Sequence, residues 1–507
     1  MDRLSSELLH TIASLLSPVD LVSFRLVSRS FAQIGAAHLL PEVTFEAHEQ
    51  ELARLRAIAR HPVLSRHVRS LVYISDMQQQ PPVELGPYVD EYQRARRLAL
   101  RNSDLTARDL GDEYNMSQAE LEEAHRSYVA AARNQQNILV NRRDIDALRD
   151  EVLPRLARSL RAFTVTESYK FEAGAGRGRE GRRRRMTPHR DMVHSDLLLL
   201  DRPYGGRFLE ALLKANADAV GARCEDIESV RASSVHWDFF ERDDPAELRR
   251  LFAPLAATLK CLELGLSIED YGDEGFDARD AIEQVEAAMA NGHVRDALAT
   301  LVELDTLALD FGDYVGESWP GPVAVLGHLV APGFRWQNLR CLTLGSVHCP
   351  RQELEAALQL HRGTLRELCL RDFGLERTSW RRFLPWVRNN MDLSDACICG
   401  YLEGRTEEGD DEGSGVDEYW CLESPLSNPH GMRCSLNMYC RRRGKCYPDK
   451  LPLSADVVLE YYDEWVAAEF PRGDKFRVWT EVEVHIRENE DSDEDSSRDD
   501  DPDSVDW

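Results

Sequence analysis

The residues of this chain best suited to holding a metal are cysteines. Cys397 and Cys399 are one residue apart, and Cys434, Cys440 and Cys446 are each separated by five. A zinc site needs four thiolate or imidazole donors converging on a tetrahedron. Gaps of five do not make a knuckle, and Cys397-x-Cys399 is half a motif, so neither a metal nor a cofactor is expected. The eleven cysteines are scattered and odd in number, which reads as reduced core residues rather than a disulfide framework. His189 and His194 flank Asp191 beside an arginine run, but three polar residues in a loop are not a site. No G-x-G-x-x-G directly follows a strand-like run, and the sequence holds no P-loop, H-E-x-x-H or G-x-S-x-G. Acidic pairs discriminate nothing in a chain of net charge −27. No catalytic residues are expected, and the chain is not expected to be an enzyme.

The informative positions lie at the start. Leu4, Leu8, Leu9, Ile12, Leu15 and Leu16 recur at helical spacing, with Ser5 or Ser6 able to cap the helix and Glu7 in its first turn. Ser17-Pro18-Val19-Asp20 opens a second helix: Ser17 at the cap, Pro18 at the first position and Asp20 able to reach back. That helix carries Leu21, Phe24, Arg25 and Val27. Ser28 can cap a third, with Phe31, Ile34 and Leu39. Three short helices this rich in leucine and valine expose more apolar surface than they can bury alone. Periodicity leaves two readings open: a partner-binding unit, or a helical hairpin capping a larger core.

The string itself goes further. Leu4-Ser5-Ser6-Glu7-Leu8-Leu9, Ile12, Leu16-Ser17-Pro18-Val19-Asp20-Leu21 and Arg25-Leu26-Val27-Ser28-Arg29-Ser30-Phe31 resemble the F-box motif in order and spacing. Two departures are visible: Ser5 stands where the family usually has proline, and Phe31 where it often has tryptophan. The resemblance covers about forty of 507 residues. It implies a three-helix domain that binds the Skp-family adaptor of SCF ubiquitin ligases and, through it, a cullin. Carried over by position, it implies adaptor contacts at Leu4, Leu8, Pro18, Leu21 and Val27, with Ile12 and Leu16 shared between the interface and the domain's own core. Such proteins select a protein substrate and perform no covalent chemistry. A scaffold acting outside a ligase is the alternative.

Beyond residue 45 an L-x-x-L-x-L string recurs at Leu259/Leu262/Leu264, Leu304/Leu307/Leu309, Leu339/Leu342/Leu344 and Leu365/Leu368/Leu370. Looser copies stand at Val68/Leu71/Tyr73 and Leu160/Phe163/Val165. Each reads as a short buried strand, several preceded by a helical pattern, so neighbouring units must stack. The region resembles a degenerate leucine-rich-repeat horseshoe. The first positions of the four clear copies are 45, 35 and 26 residues apart, however, and strands of a non-repeating α/β domain fit as well.

The expected fold class is therefore mixed α/β: an F-box at 1–42, an irregular leucine-rich-repeat-like solenoid at 43–402, an acidic loop at 403–418, a C-terminal capping module at 419–487 and an acidic tail at 488–507. The cap is expected to hold a helix at 457–470 and a strand at 476–486. Residues 174–190 hold seven arginines, including Arg182 to Arg185, and read as a disordered basic insertion or a nuclear signal. The tail carries eleven acidic residues and one arginine, and it too is expected to be disordered. The charge disfavours nucleic acid as a partner. No run of eighteen apolar residues offers a membrane span, and the N-terminus lacks a signal-peptide layout. Cytoplasm or nucleus is the expected location.

Overall fold

A computed structural model describes residues 4–76, 84–102, 116–167, 205–219, 224, 226–241, 244–267, 278–312, 322–405, 417–422, 432–441 and 451. The N-terminal region forms three helices: α1 (Ser6–Leu15), α2 (Pro18–Arg25) and α3 (Arg29–Leu39). A mixed α/β body follows, built on one sheet. Its strands are β1 (Glu42–Phe45), β2 (Ser70–Ile74), β3 (Ala162–Thr166), β4 (Ser229–His236), β5 (Cys261–Ser267), β6 (Thr306–Asp310), β7 (Ala324–Val325), β8 (Cys341–Gly345), β9 (Val347–Pro350), β10 (Glu367–Glu376), β11 (Asp395–Arg405) and β12 (Asp417–Leu422). The main path is β1-β2-β3-β4-β5-β6-β8-β10-β11-β12, with β7 on β9 and β9 on β10. Every pairing is parallel except that of β11 with β12.

The apolar string explains the register. Its second positions form one continuous ladder: Val43, Leu71, Phe163, Val230, Leu262, Leu307, Leu342, Leu368 and Ala396. All nine are buried, because slipping any strand by one residue would turn its apolar set to the other face. The six strands expected from the string all form. Three more copies were not recognised as such: Leu40/Val43/Phe45, Ile227/Val230/Ala232 and Leu393/Ala396/Ile398, which carry β1, β4 and β11. Alanine and phenylalanine in place of leucine hid them.

A main-chain device repeats at the start of eight strands, β2 to β6, β8, β10 and β11. The Pro41 carbonyl accepts from the amides of both Arg69 and Ser70, and the Arg69 carbonyl from those of Arg161 and Ala162. The same double acceptance recurs at Arg161, Glu228, Lys260, Asp305, Arg340 and Arg366. Each of these eight strands is thereby locked to the preceding strand of the path before the ladder begins.

Helices cover one face of the sheet. Gly205–Asp218 buries Phe208, Leu209 and Leu212, Arg351–Leu360 buries Leu354 and Leu358, and Trp380–Asn390 buries Phe383, Leu384 and Val387, all in the same core as the strand leucines. Helix Gln118–Val140 opens on a capping box formed by Ser117 and Glu120. Its Leu121, Ala124 and Tyr128 make a small separate core with Tyr88 and Tyr92 of helix Leu85–Asn102.

Two expectations at the C-terminal end are corrected. β11 runs through Arg405 and β12 begins at Asp417, so residues 403–405 and 417–418 are paired strand rather than acidic loop, and the boundary set at 402 falls inside a strand. Helix Met432–Cys440 buries Leu436 and Cys440 in the main core. Residues 174–190, 457–470, 476–486 and 488–507, with the bulk of the acidic stretch, lie outside the described residues.

Candidate functional site

Each helix of the N-terminal unit is opened by the serine that the sequence offered. Ser5 Oγ accepts from the Leu8 amide at 3.4 Å, Ser17 Oγ from the Asp20 amide at 3.2 Å and Ser28 Oγ from the Phe31 amide at 3.3 Å. The Ser17 hydroxyl also donates to the Asp20 carboxylate at 2.6 Å. Pro18 takes the first position of α2, where a residue without an N–H costs nothing. These caps let three helices of eight to eleven residues form with two or three residues between them.

The unit has its own core. Leu9 and Ala13 of α1, Leu21 of α2, and Phe31 and Ile34 of α3 are buried together, with Leu16, Phe24 and Leu39 partly buried against them. The Phe24 and Phe31 rings lie 4.6 Å apart. Phe31 thus seals the centre of the unit. Gly35 lets α3 close on α2, since a Cβ there would stand 2.5 Å from Arg25 Cγ. Leu39 packs on this core and Leu40 on that of the body, so the chain passes from one core to the other between adjacent residues.

Apolar side chains beyond that core point outward. Eleven large hydrophobic residues are exposed among the described residues, and eight of them fall between positions 4 and 27. That concentration identifies the unit as the candidate site. On α1, Leu8, Ile12 and Leu15 follow the i, i+4, i+7 spacing of one helix face, and Leu15 is 81% exposed. On α2, Val19 and Val22 run on to Leu26, 84% exposed, and Val27.

The residues singled out from the sequence divide accordingly. Leu4, Leu8, Ile12 and Val27 are exposed, and Leu16 is half-buried against the unit's core. Leu21 is only 3% exposed and belongs to that core, so it supports the surface from beneath. Leu15, Val19, Val22 and Leu26 are outward residues that motif matching missed. Leu15 already stood at helical spacing with Leu8 and Ile12 in the sequence.

A second group lies on the sheet face opposite the strand leucines. Arg231 pairs with Glu263 at 3.0 Å, and Arg371 with Asp310 and Asp372. Cys369, Cys397 and Cys399 converge there, with their sulfurs all within 4.8 Å of one another. The sequence offered Cys397 and Cys399 as half a motif. Cys369 joins them because β10 and β11 pair Cys369 with Cys397 in register, a relation that spacing along the chain cannot show. Hydrogen bonds to Cys397 and Cys399, together with burial, push the Cys369 thiol well up.

Among the described residues no helix is long and apolar enough to cross a membrane. No curated protein matches the chain. Residues 1–36 match the family model of the F-box domain, and the capped three-helix unit that turns its leucines and valines outward is an F-box.

Proposed function

We propose that this chain is the substrate-recognition subunit of an SCF-type E3 ubiquitin ligase. In this reading α1 and α2 bind a Skp-family adaptor, the adaptor brings a cullin, and the body presents a protein target. The observation that carries it is the pairing of a complete small core with eight outward apolar residues: Leu4, Leu8, Ile12, Leu15, Val19, Val22, Leu26 and Val27. A unit that merely capped the body would bury those side chains in the body's core, and they are exposed instead.

The body's part in this reading rests on its topology. From β1 to β11 the strands of the main path succeed one another in chain order and in parallel, stepping over only β7 and β9, with the apolar string in register along that path. That order supports an irregular leucine-rich-repeat-like solenoid, in which each unit contacts mainly its neighbours. The face left by the helices carries Arg231, Glu263, Asp310 and Arg371, which suit a polar protein surface. The chain selects its target and performs no covalent chemistry, in the cytoplasm or the nucleus.

The test is a pull-down of the purified chain with a purified Skp-family adaptor, comparing wild type with the Leu8→Asp, Val27→Asp double variant. Wild type binds, and the double variant keeps its helical circular dichroism and loses the adaptor. Affinity purification with and without proteasome inhibition then identifies proteins enriched only under inhibition. Failure of wild type to bind any Skp-family adaptor at micromolar concentration overturns the proposal. Adaptor binding with no target enriched reduces it to a scaffold role.

A further inference from the structure

The three cysteines on the open face of β10 and β11 are placed as metal ligands. Cys369 and Cys397 stand side by side in register. Cys399 follows Cys397 by two residues, so the pleat returns it to the same face. The Cys397 and Cys399 sulfurs are 3.7 Å apart, and all three sulfurs lie within 4.8 Å of one another. An ion at the usual zinc–thiolate distance of about 2.3 Å from three sulfurs needs them about 4 Å apart. The observed triangle is already of that size.

The backbone beside the triangle is fixed. Between Arg371 and Phe373 the register of β10 against β11 shifts by a bulge. Asp372 (φ 51°) and Gly400 (φ 75°) both take the left-handed conformation there. The Asp372 carboxylate accepts from the Tyr401 amide at 2.8 Å. A Cβ on Gly400 would stand 2.1 Å from the Asp372 carboxylate oxygen, so glycine is required at the residue after Cys399. Two adjacent strands and a pinned bulge thus present three sulfur donors with little freedom to move apart. Arg371, in register with Cys399, is itself held by Asp310 and Asp372.

We propose that Cys369, Cys397 and Cys399 bind one thiophilic d10 cation, Cu(I) or Zn(II), on the open face of the sheet. Three soft sulfur donors select these ions over magnesium, calcium or manganese. Cu(I) is complete with three thiolates, whereas Zn(II) keeps a fourth position for water or a donor from a partner. Binding releases the thiol protons, so affinity rises with pH.

The experiment uses the full-length chain, reduced and anaerobic, titrated with Zn(II) alone and with Cu(I) alone in competition with a chromophoric chelator. Wild type should bind one equivalent of at least one of the two ions. Cys369→Ser and Cys397→Ser, both at half-buried positions, should each weaken binding by at least tenfold. Cys261→Ser and Cys341→Ser, on the same face but outside the triangle, should leave it unchanged. The bound ion should raise the melting temperature of wild type and of the two controls, and not that of Cys369→Ser. Binding of neither ion, equal losses in the controls, or undiminished binding by Cys369→Ser overturns the assignment. None of these outcomes depends on the adaptor.

Discussion

The Nδ1 atom of His10 on α1 lies 3.0 Å from the Nε2 atom of His38 on α3. A hydrogen bond between two imidazoles needs one ring nitrogen to keep its lone pair, so the contact does not survive a proton on both facing nitrogens. Burial first, then His10, lowers the proton affinity of His38. His67, at the edge of the body, is lowered by burial, by Arg69 and Arg66, and by His10 and His38. Both rings therefore titrate below the ordinary value of 6.5 in the folded chain, and the unfolded chain takes up protons first. Stability from these rings is fully present above that value and declines as pH falls through it. Melting curves between about pH 7.5 and about pH 5.5 should show a falling midpoint that is flatter in His38→Gln. Equal slopes for both proteins would contradict this account.

Leu21 and Leu8 should respond in opposite ways to the same substitution. Leu21→Asp places a carboxylate in a core of five buried residues, and should cost at least about 3 kcal/mol and unfold the unit. Leu8→Asp alters an outward side chain and should change stability by no more than about 0.5 kcal/mol while weakening adaptor binding. Circular dichroism and adaptor affinity, measured on both variants, separate the two effects. An adaptor-binding Leu21→Asp protein would show that the core is drawn wrongly.

Tyr73 fills the last apolar position of its string and carries a hydroxyl that donates to Asp144 at 2.9 Å. Asp144 is fully buried and also accepts from Arg207 at 3.1 Å. Tyr73→Phe keeps the ring and strips one partner from a buried carboxylate, which should cost about 1–2 kcal/mol. Urea unfolding should show a lower midpoint with the slope unchanged. An unchanged midpoint would mean that water replaces the hydroxyl.

Gly400→Ala should loosen the β10–β11 bulge. The left-handed backbone disfavours a side chain, and the new Cβ would collide with Asp372; the cost is on the order of 1–3 kcal/mol. Hydrogen exchange should speed up at the Tyr401 amide more than at Leu262, far along the sheet.

Much of this was legible in the sequence. The serine caps, Pro18 and the L-x-x-L-x-L strings act through neighbours in the chain, so their spacing carries the information. The burial of Leu21 was not legible because motif position does not say which side of a short helix faces the third. β4 and β11 were missed because Ala232 and Ala396 contribute so little apolar surface to their strings. Cys369 could not be tied to Cys397 without knowing that their strands are neighbours. The hairpin of β11 and β12 was hidden by the acidic composition of the residues that join it.

The doubled acceptance at eight carbonyls from Pro41 to Arg366 has a consequence for descent. It holds one edge of the sheet to a fixed form, while the chain between Arg340 and Arg366 is less than a third as long as that between Arg69 and Arg161. Lengthening a crossover leaves the alignment of the strands on either side intact. A lineage carrying this fold can acquire or shed whole segments between strands one at a time, and change what it captures without relearning how to fold.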